Sequence, residues 1–245
     1  MVDGMLQWDL ALDSYKYDFD LSQFKEKDKF PNFFNLKCGG KRKSTICFEN
    51  YFQKNAPHHI EVYMEVLFWK LYSIRKKDGH EDIFDFKLYN DRYVKGLAKS
   101  SPLIIWQQIT NFKSAFISGD IDKCRTSCRE IAKMMNVSDG MMLPLCIISF
   151  SHPDYFPIVD KHVISWINGY FPKYNDNRLP DCEMMRFSSN TDFIAYIRWA
   201  KWCQDTARIL NTNKKSRYLD WRPRDVEMAV FSYQRNNLGS PLEIL

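Results

Sequence analysis

The strongest constraint on the fold is a change in the spacing of apolar residues near Asn55. After this point apolar residues recur three or four positions apart, which places them on one face of an α-helix. Before it they come mostly at alternating positions, which is typical of a strand pair or an extended arm. The alternating residues are Trp8, Leu10, Leu12, Tyr15, Tyr17 and Phe19. We therefore predict a mainly α-helical chain with a small extended or β N-terminal region.

Local signals divide the later part of the chain into about eight helices. The first begins near Pro57 and ends near Arg75-Lys76-Lys77, and a second runs from about Asp82 to Ala98. Pro102 and Gly119 mark the two ends of a third helix, and Asp120 caps a fourth. A long helix should run over about Thr191–Leu210, and Pro223 should begin the last one. We predict an N-terminal arm over residues 1–56 and a helical body over residues 57–245, with strands confined to the arm.

Composition narrows the class of protein. Hydrophobic residues make up 45% and charged residues 27% of the chain, which is ordinary for a globular protein. The net charge of +5 is compatible with a polyanionic partner. No segment is long and apolar enough for a signal peptide or a membrane span. We expect no membrane association and an intracellular location, either cytoplasmic or nucleoid-associated.

The seven cysteines have scattered spacings that do not match a secreted disulfide framework. Cys124 and Cys128 are four residues apart, so on a helix their thiols share one face. A metal site would need two further ligands nearby, and Cys38 and Cys47 are distant in sequence. We expect buried free thiols, no metal site and no cofactor.

The stretch from Phe150 to Asn168 contains the residue on which the functional prediction depends. Pro153 stops the preceding helix, and Pro157 keeps the residue before it extended. Asp160 then lies where a new helix begins. An aspartate at this position caps the first turn, and its carboxylate is also held ionised by the helix dipole and the N–H donors, as a catalytic anion requires.

The segment Phe156-Pro-Ile-Val-Asp-Lys-His-Val163 resembles the Pro-Val-Asp-Thr-His-Val segment of helix-hairpin-helix DNA glycosylases, the endonuclease III-like superfamily. The run from His152 to Asp160 and the pair Trp69-Lys70 are also similar to runs in uncharacterised bacterial helix-hairpin-helix proteins. The resemblance covers about half of the chain, from Val62 to Asn168. It implies a helix-hairpin-helix glycosylase-like helical body, in which Asp160 is the catalytic residue.

The family also has a Gly-x-Gly-x-Lys-Thr-Ala hairpin upstream of this aspartate. The matching stretch here, Ser138 to Pro144, places the candidate hairpin near residues 136–150. Its second glycine is present as Gly140, but Met142 stands 18 residues before Asp160, where the family has its lysine. That lysine forms a Schiff base and permits strand cleavage. The resemblance therefore implies a monofunctional DNA glycosylase, a hydrolase of base excision repair that acts on a flipped damaged base.

Further candidate residues follow from this interpretation. We predict that Met142 and Asp160 face each other across one cleft. The base-pocket candidates are Trp69, Trp106 and Met142, and the nucleic-acid-binding candidates are Ser138, Gly140, Lys41, Arg42, Lys43, Lys214, Lys215 and Arg217. The expected partner is DNA. The alternative interpretation is a non-catalytic helix-hairpin-helix module that binds nucleic acid or a protein and keeps Asp160 only as a cap. An enzyme should have Asp160 at the edge of an open pocket beside a basic face, whereas a module should have it covered by side chains.

Overall fold

The computed structural model describes residues 4–15, 41–71, 75–77, 80–83, 93, 95–170, 190–212, 216–218 and 220–236. These residues are mainly helical, as predicted. The helices, numbered in chain order, are α1 (Gly4–Asp13), α2 (Arg42–Asn55), α3 (Glu61–Leu71), α4 (Lys95–Leu97), α5 (Pro102–Ser118), α6 (Ile121–Met134), α7 (Met142–Ser151), α8 (Lys161–Tyr170), α9 (Asn190–Thr212) and α10 (Pro223–Asn236). The strands are β1 (Arg75–Lys77) and β2 (His80–Ile83).

Two central helices organise the core. Helix α7 is buried from Pro144 to Ser151 and contacts α2, α3 and α6. A helix that is apolar on all sides is stable only when it is surrounded by protein, and α7 has this composition. Helix α10 is buried from Pro223 to Tyr233 and contacts α1, α8 and α9. Together the two helices contact α1, α2, α3, α6, α8 and α9.

Unlike α7, α10 buries charged side chains near its start. Asp225 is fully buried, and its carboxylate accepts hydrogen bonds from the guanidinium groups of Arg42 and Arg222. Arg222 also donates to Glu49 at 2.7 Å, so α10 is joined to α2 by ion pairs. Burial alone would raise the pKa of Asp225, but the hydrogen bonds and charges of Arg222 and Arg42 outweigh burial and hold it below its usual value. Arg224 lies over the Trp69 ring at 5.7 Å, which connects α10 to the helices around α7.

Most predicted helix ends are confirmed. Pro102 is the first residue of α5, and Gly119 ends it in the left-handed conformation with φ of 77°. The Asp120 side chain caps α6 by accepting a hydrogen bond from the Lys123 N–H. The predicted long helix is α9, and Pro223 begins α10. In each case the signal is local, because a cap or a proline acts on the turn beside it.

The N-terminal prediction is wrong where the structure describes it, since residues 4–13 and 42–55 are helical. Trp8, Leu12 and Tyr15 are buried, but Leu10, which alternation would place on the same face, is 49% exposed. Ala11 is buried instead, and residues 8, 11, 12 and 15 have the spacing of one helix face. Tyr17 and Phe19 lie outside the described residues. The division at residue 56 stays a prediction, although residues from both sides join one buried cluster.

The prediction that strands occur only in the first fifty-odd residues is also wrong. Strands β1 and β2 pair antiparallel within the later part of the chain, with Arg75 opposite Ile83 and Lys77 opposite His80. They occupy positions that we assigned to the end of one helix and the start of the next. Asp78-Gly79 separates them in sequence, and this dipeptide strongly favours a two-residue hairpin turn.

Candidate functional site around Asp160

The chain turns sharply between α7 and α8. His152 ends α7, and its carbonyl oxygen accepts hydrogen bonds from the N–H groups of Tyr155 and Phe156, both at 2.9 Å. No regular structure follows from Phe156 to Asp160, and Lys161 begins α8. The order predicted from Pro153 and Pro157, a turn and then a new helix at Asp160, is confirmed.

Side chains from three helices hold the segment that carries Asp160. The Pro157 carbonyl oxygen accepts a hydrogen bond from the Tyr196 hydroxyl at 3.2 Å and lies 2.8 Å from the Ser149 hydroxyl. The Lys70 ammonium donates to the carbonyl oxygen of Val159 at 3.4 Å. These contacts fix the backbone on both sides of Ile158, so Asp160 enters α8 from an anchored segment.

The two carboxylate oxygens of Asp160 have different surroundings. Oδ1 accepts hydrogen bonds from the N–H groups of His162 at 2.9 Å and Val163 at 3.0 Å. This is the geometry of a helix N-cap, as the sequence predicted. Oδ2 has no hydrogen-bond partner among the residues that the structure describes, and the side chain is half-buried. One oxygen therefore fixes the orientation of the carboxylate, and the other is open to further contacts.

Two cations lie near the imidazole of His162, which follows Asp160 by two residues. Lys161 is exposed at the start of α8, and Arg235 is exposed near the end of α10. Burial lowers the pKa of His162, Asp160 raises it, and Lys161 and Arg235 lower it further, so all three charges lie within electrostatic range of the imidazole. The Lys70 ammonium reaches the carbonyl oxygen of Val159, the residue before Asp160. Among the residues that the structure describes, the Asp160 carboxylate has no ion-pair partner.

The sequence patterns do not point to Lys70, His162 and Arg235 as site residues. Lys70 belongs to the Trp69-Lys70 pair of the resemblance, and His162 lies within the segment around Asp160. Arg235 is 75 residues beyond Asp160, and no local pattern connects the two. It reaches this region because α10 packs against α8. Such long-range contacts are set by packing and have no signal in residue spacing.

The candidate hairpin corresponds to the connection between α6 and α7, two helices that contact each other. Ser138 is exposed in this connection, and Gly140 is half-buried. Met142 is the first residue of α7, whereas Asp160 immediately precedes α8. The placement of Met142 and Asp160 across one cleft stays a prediction, as do the binding roles of Ser138 and Gly140.

The close backbone approach that glycine permits occurs at Gly96 rather than Gly140. A Cβ atom at Gly96 would lie 2.7 Å from the Met134 carbonyl oxygen and 2.8 Å from Nδ2 of Asn136. At Gly140 a Cβ atom would meet only Val137 Cγ1, at 3.6 Å. Gly140 therefore leaves open space on the surface of the connection, whereas Gly96 is required for α4 to pack at the end of α6.

The tryptophans proposed for a base pocket have different environments. Trp69 is 2% exposed and packs edge-on against Phe150 at 5.0 Å, so it is a core residue. Trp106 is half-buried, and its ring lies 6.0 Å from that of His152. The structure brings Trp106 to the turn that precedes Asp160, while Trp69 lies next to Lys70, which contacts the segment before Asp160.

The basic residues proposed to bind nucleic acid also differ in their environments. Lys41 and Lys43 are exposed at the start of α2, but Arg42 is committed to the buried carboxylate of Asp225. Arg217 is exposed and pairs with Asp13. Lys214 and Lys215 lie outside the described residues. Nucleic-acid binding by these segments stays a prediction, and both arginines among them also have structural partners.

An open cleft of about 350 Å³ lies near the same turn. Its lining includes Asp154, Gln204, Arg208 and Asn211 from the turn and from α9. Gln204 donates to the Tyr155 carbonyl oxygen at 3.1 Å, which joins this wall of the cleft to the turn. Asp160 is not among the lining residues, so the cleft and the carboxylate occupy different parts of the 152–160 region.

Four of the five described cysteines are buried, as expected, and Cys47 is exposed. Burial raises the pKa of Cys124 to about 12 and that of Cys146 to about 11. These values make the thiols unreactive near neutrality. Among the residues that the structure describes, no group of three or more His, Cys, Asp or Glu side chains could hold a metal ion. Cys38 and Cys182 lie outside those residues.

Within the described part of the chain, no helix is long and apolar enough to cross a membrane. No protein-family model matches the chain, and neither the curated proteins nor the solved structures include a significant match.

Proposed function

We propose that the protein is a monofunctional DNA glycosylase that uses Asp160 to remove a base from a flipped nucleotide. The observation that carries this proposal is the setting of the Asp160 carboxylate. One of its oxygens is oriented by two backbone N–H groups, and the other has no hydrogen-bond partner among the described residues. The resemblance of the Phe156–Val163 segment to the glycosylase segment supports the same role.

The chemistry requires few groups. As the bond between the base nitrogen and C1′ breaks, positive charge develops on the sugar, and a fixed carboxylate stabilises that charge. Water then forms the new bond to C1′, and its proton passes to Asp160 or to the departing base. The two N–H donors hold the carboxylate in one orientation. The extended segment anchored by Tyr196 and Lys70 holds it at a constant position.

A cationic side chain next to Asp160 is compatible with a negatively charged nucleic-acid substrate. A duplex carries closely spaced phosphates, and a carboxylate alone would repel it. The exposed Lys161, adjacent to Asp160 in the chain, reduces this repulsion. Met142 occupies the position of the family's lysine, so we expect base removal without a covalent intermediate.

A panel of duplexes with different damaged bases tests the proposal. Release of a base leaves an abasic site, which hot alkali converts into a strand break. We expect strand breaks on at least one duplex only after alkali, and no adduct after treatment with borohydride. Strand breaks without alkali, or a trapped protein–DNA adduct, would show that an amine such as Lys70 or Lys161 takes part. No abasic site on any duplex would contradict the proposal.

The second candidate function is a non-catalytic helix-hairpin-helix module that binds nucleic acid or a protein. The two N-cap hydrogen bonds of Asp160 favour it, because they explain the aspartate without any chemistry. Binding to duplex DNA without base release on the same panel would support this module. An absence of both binding and base release would favour a protein partner.

A further inference from the structure

Three half-buried aromatic side chains and one lysine lie together between α5 and the turn that follows α7. The ring of Trp106 on α5 lies 6.0 Å from that of His152, and the Tyr155 ring lies 6.5 Å from that of His152. The Lys113 ammonium lies 4.5 Å from the centre of the Tyr155 ring. Trp106 and Lys113 are seven residues apart, which places them on one face of α5. We refer to Trp106, Lys113, His152 and Tyr155 as the aromatic cluster.

Packing next to the aromatic cluster fixes the turn against α5. Phe156, which follows Tyr155, is fully buried. Its ring packs edge-on against Phe112 at 5.1 Å and Phe116 at 5.0 Å, and both of these residues belong to α5. The His152 carbonyl oxygen accepts hydrogen bonds from the N–H groups of Tyr155 and Phe156, which closes the turn. The cluster is therefore held in place before any ligand binds, so that binding costs little conformational entropy.

The polar groups of the aromatic cluster are available to a ligand. Among the residues that the structure describes, the Trp106 indole N–H, the His152 imidazole and the Tyr155 hydroxyl have no hydrogen-bond partner. None of these polar atoms is fully buried, so each can contact a ligand. The Lys113 ammonium has no carboxylate within ion-pair distance in the described part of the chain. The rings are thus packed against one another while their polar atoms are unpaired.

Most of these groups are hydrogen-bond donors. The indole N–H and the ammonium only donate, and the hydroxyl can donate or accept. Burial, and to a smaller extent the charge of Lys113, lower the pKa of His152 to about 4. Its imidazole is therefore neutral near pH 7 and has one donor and one acceptor. Donors beside aromatic rings suit a planar ligand with carbonyl oxygens, and the lysine favours a negatively charged molecule that carries it.

We propose that the aromatic cluster binds an unpaired nucleobase that carries carbonyl oxygens, within a single-stranded segment of nucleic acid. Bases of a single strand stack on aromatic side chains, and cationic side chains follow the phosphates. Thymine presents the acceptor O4 and guanine presents O6 and N7, whereas cytosine and adenine present amino donors. An excess of donors therefore favours thymine and guanine. The inference rests on the proposed function for the class of ligand, but it does not require base removal.

The test uses fluorescent single strands of equal length, composed either of thymine or of 5-methylcytosine. The two bases share the methyl group and differ at the N3–C4 edge, so their affinities compare a carbonyl with an amino group. Tyr155→Phe keeps the ring and removes a hydroxyl that has no partner within the described residues. Lys113→Gln removes the charge of the cluster, and Lys99→Gln removes one charge from an exposed position elsewhere. Thermal unfolding of each variant checks that the fold is kept.

We expect the unmodified protein to bind the thymine strand about tenfold more tightly than the 5-methylcytosine strand. The preference should fall in Tyr155→Phe and in Lys113→Gln, and it should stay in Lys99→Gln. A fall in one of the two cluster variants alone would identify the donor. Trp106→Leu should weaken binding of both strands by about tenfold, because a stacking ring is lost.

Three results would overturn the inference. The first is equal affinity of the unmodified protein for the two strands. The second is a thymine preference that neither Tyr155→Phe nor Lys113→Gln changes. The third is an equal fall of the preference in Lys113→Gln and Lys99→Gln, which would show a diffuse effect of charge.

The outcomes separate this inference from the proposed function. A thymine preference that depends on the cluster, without base release on any damaged duplex, would retain the base-binding site and reject the glycosylase. Base release without a preference between the strands would retain the glycosylase and reject the base-binding site. Failure to bind either strand would also reject this site, while base release on the duplexes is measured independently.

Discussion

His152 has the most perturbed environment of the histidines near the site. It ends α7 between the rings of Trp106 and Tyr155, at 6.0 Å and 6.5 Å. Burial is the main cause that lowers its pKa from 6.5 to about 4, and the charge of Lys113 lowers it further. The folded protein therefore keeps this imidazole neutral at pH values where an unfolded chain would protonate it.

This shift predicts a loss of stability in acid. Above pH 6.5 neither state is protonated at His152, and below pH 4 both are. Between these values only the unfolded state gains the proton, so the free energy of unfolding should fall as the pH decreases. Denaturant unfolding of the unmodified protein and of His152→Gln measures this. The stability advantage of the unmodified protein should shrink between pH 6.5 and 4, whereas a constant difference would contradict the assignment.

At the scale of the elements, alanine substitutions at Gly96 and Gly140 should differ in their effect on stability. Gly96→Ala would force a Cβ atom against the backbone at the end of α6, because the nearest atom is the Met134 carbonyl oxygen at 2.7 Å. We expect a loss of about 1–3 kcal/mol in the free energy of unfolding. Gly140→Ala meets only an ordinary contact and should change stability by less than about 1 kcal/mol.

Denaturant unfolding of both variants checks this prediction, and similar losses in the two would contradict it. Gly140→Ala has a second use, because it tests the candidate hairpin without disturbing the fold. A large loss of duplex affinity in this variant would indicate that a phosphate approaches the backbone at Gly140. Unchanged affinity would assign binding to another surface.

Helix ends could be predicted from sequence where a single residue decides them. Gly119 and Asp120 each act on the adjacent turn, so neither requires knowledge of the rest of the fold. The N-terminal helix could not be predicted because Trp8 and Leu12 fit both an alternating and a helical pattern. Only burial distinguishes the two, and burial is supplied by α10, more than 200 residues later.

The candidate site could be predicted only in part for the same reason. The position of Asp160 and its capping role follow from the local order of prolines and apolar residues. Arg235 and Lys70 reach the site through the packing of α10 and α3, which residue spacing does not encode. Net charge likewise does not distinguish a surface arginine from Arg42, whose guanidinium group pairs with the buried carboxylate of Asp225.

At the scale of the whole molecule, the buried ion pairs join the beginning of the described chain to its end. Asp225 on α10 accepts from Arg42 on α2 and from Arg222 beside it. Asp225→Ala would leave both guanidinium groups without this carboxylate, and we expect a loss of about 3–5 kcal/mol. Asp205→Ala is the matched control, because its partner Arg208 is exposed and the loss should be about 1 kcal/mol or less.

Chemical unfolding measures the loss in the free energy of unfolding for Asp225→Ala and for Asp205→Ala. Equal losses would show that the buried pairs do not hold α2 against α10 more strongly than a surface pair would. The expected difference would instead show that the long-range ion pairs hold α2 against α10.

The central claim concerns the Asp160 carboxylate, and Asp160→Asn tests it most directly. Asparagine ranks with aspartate as an N-cap, so the free energy of unfolding should change by about 1 kcal/mol or less. Base release on the damaged duplexes should fall on the order of a hundredfold or more, because the charge that stabilises the sugar cation is lost. Both quantities are measured on the same preparation. A variant that unfolds readily but keeps its activity would contradict the claim and leave Asp160 as a structural cap.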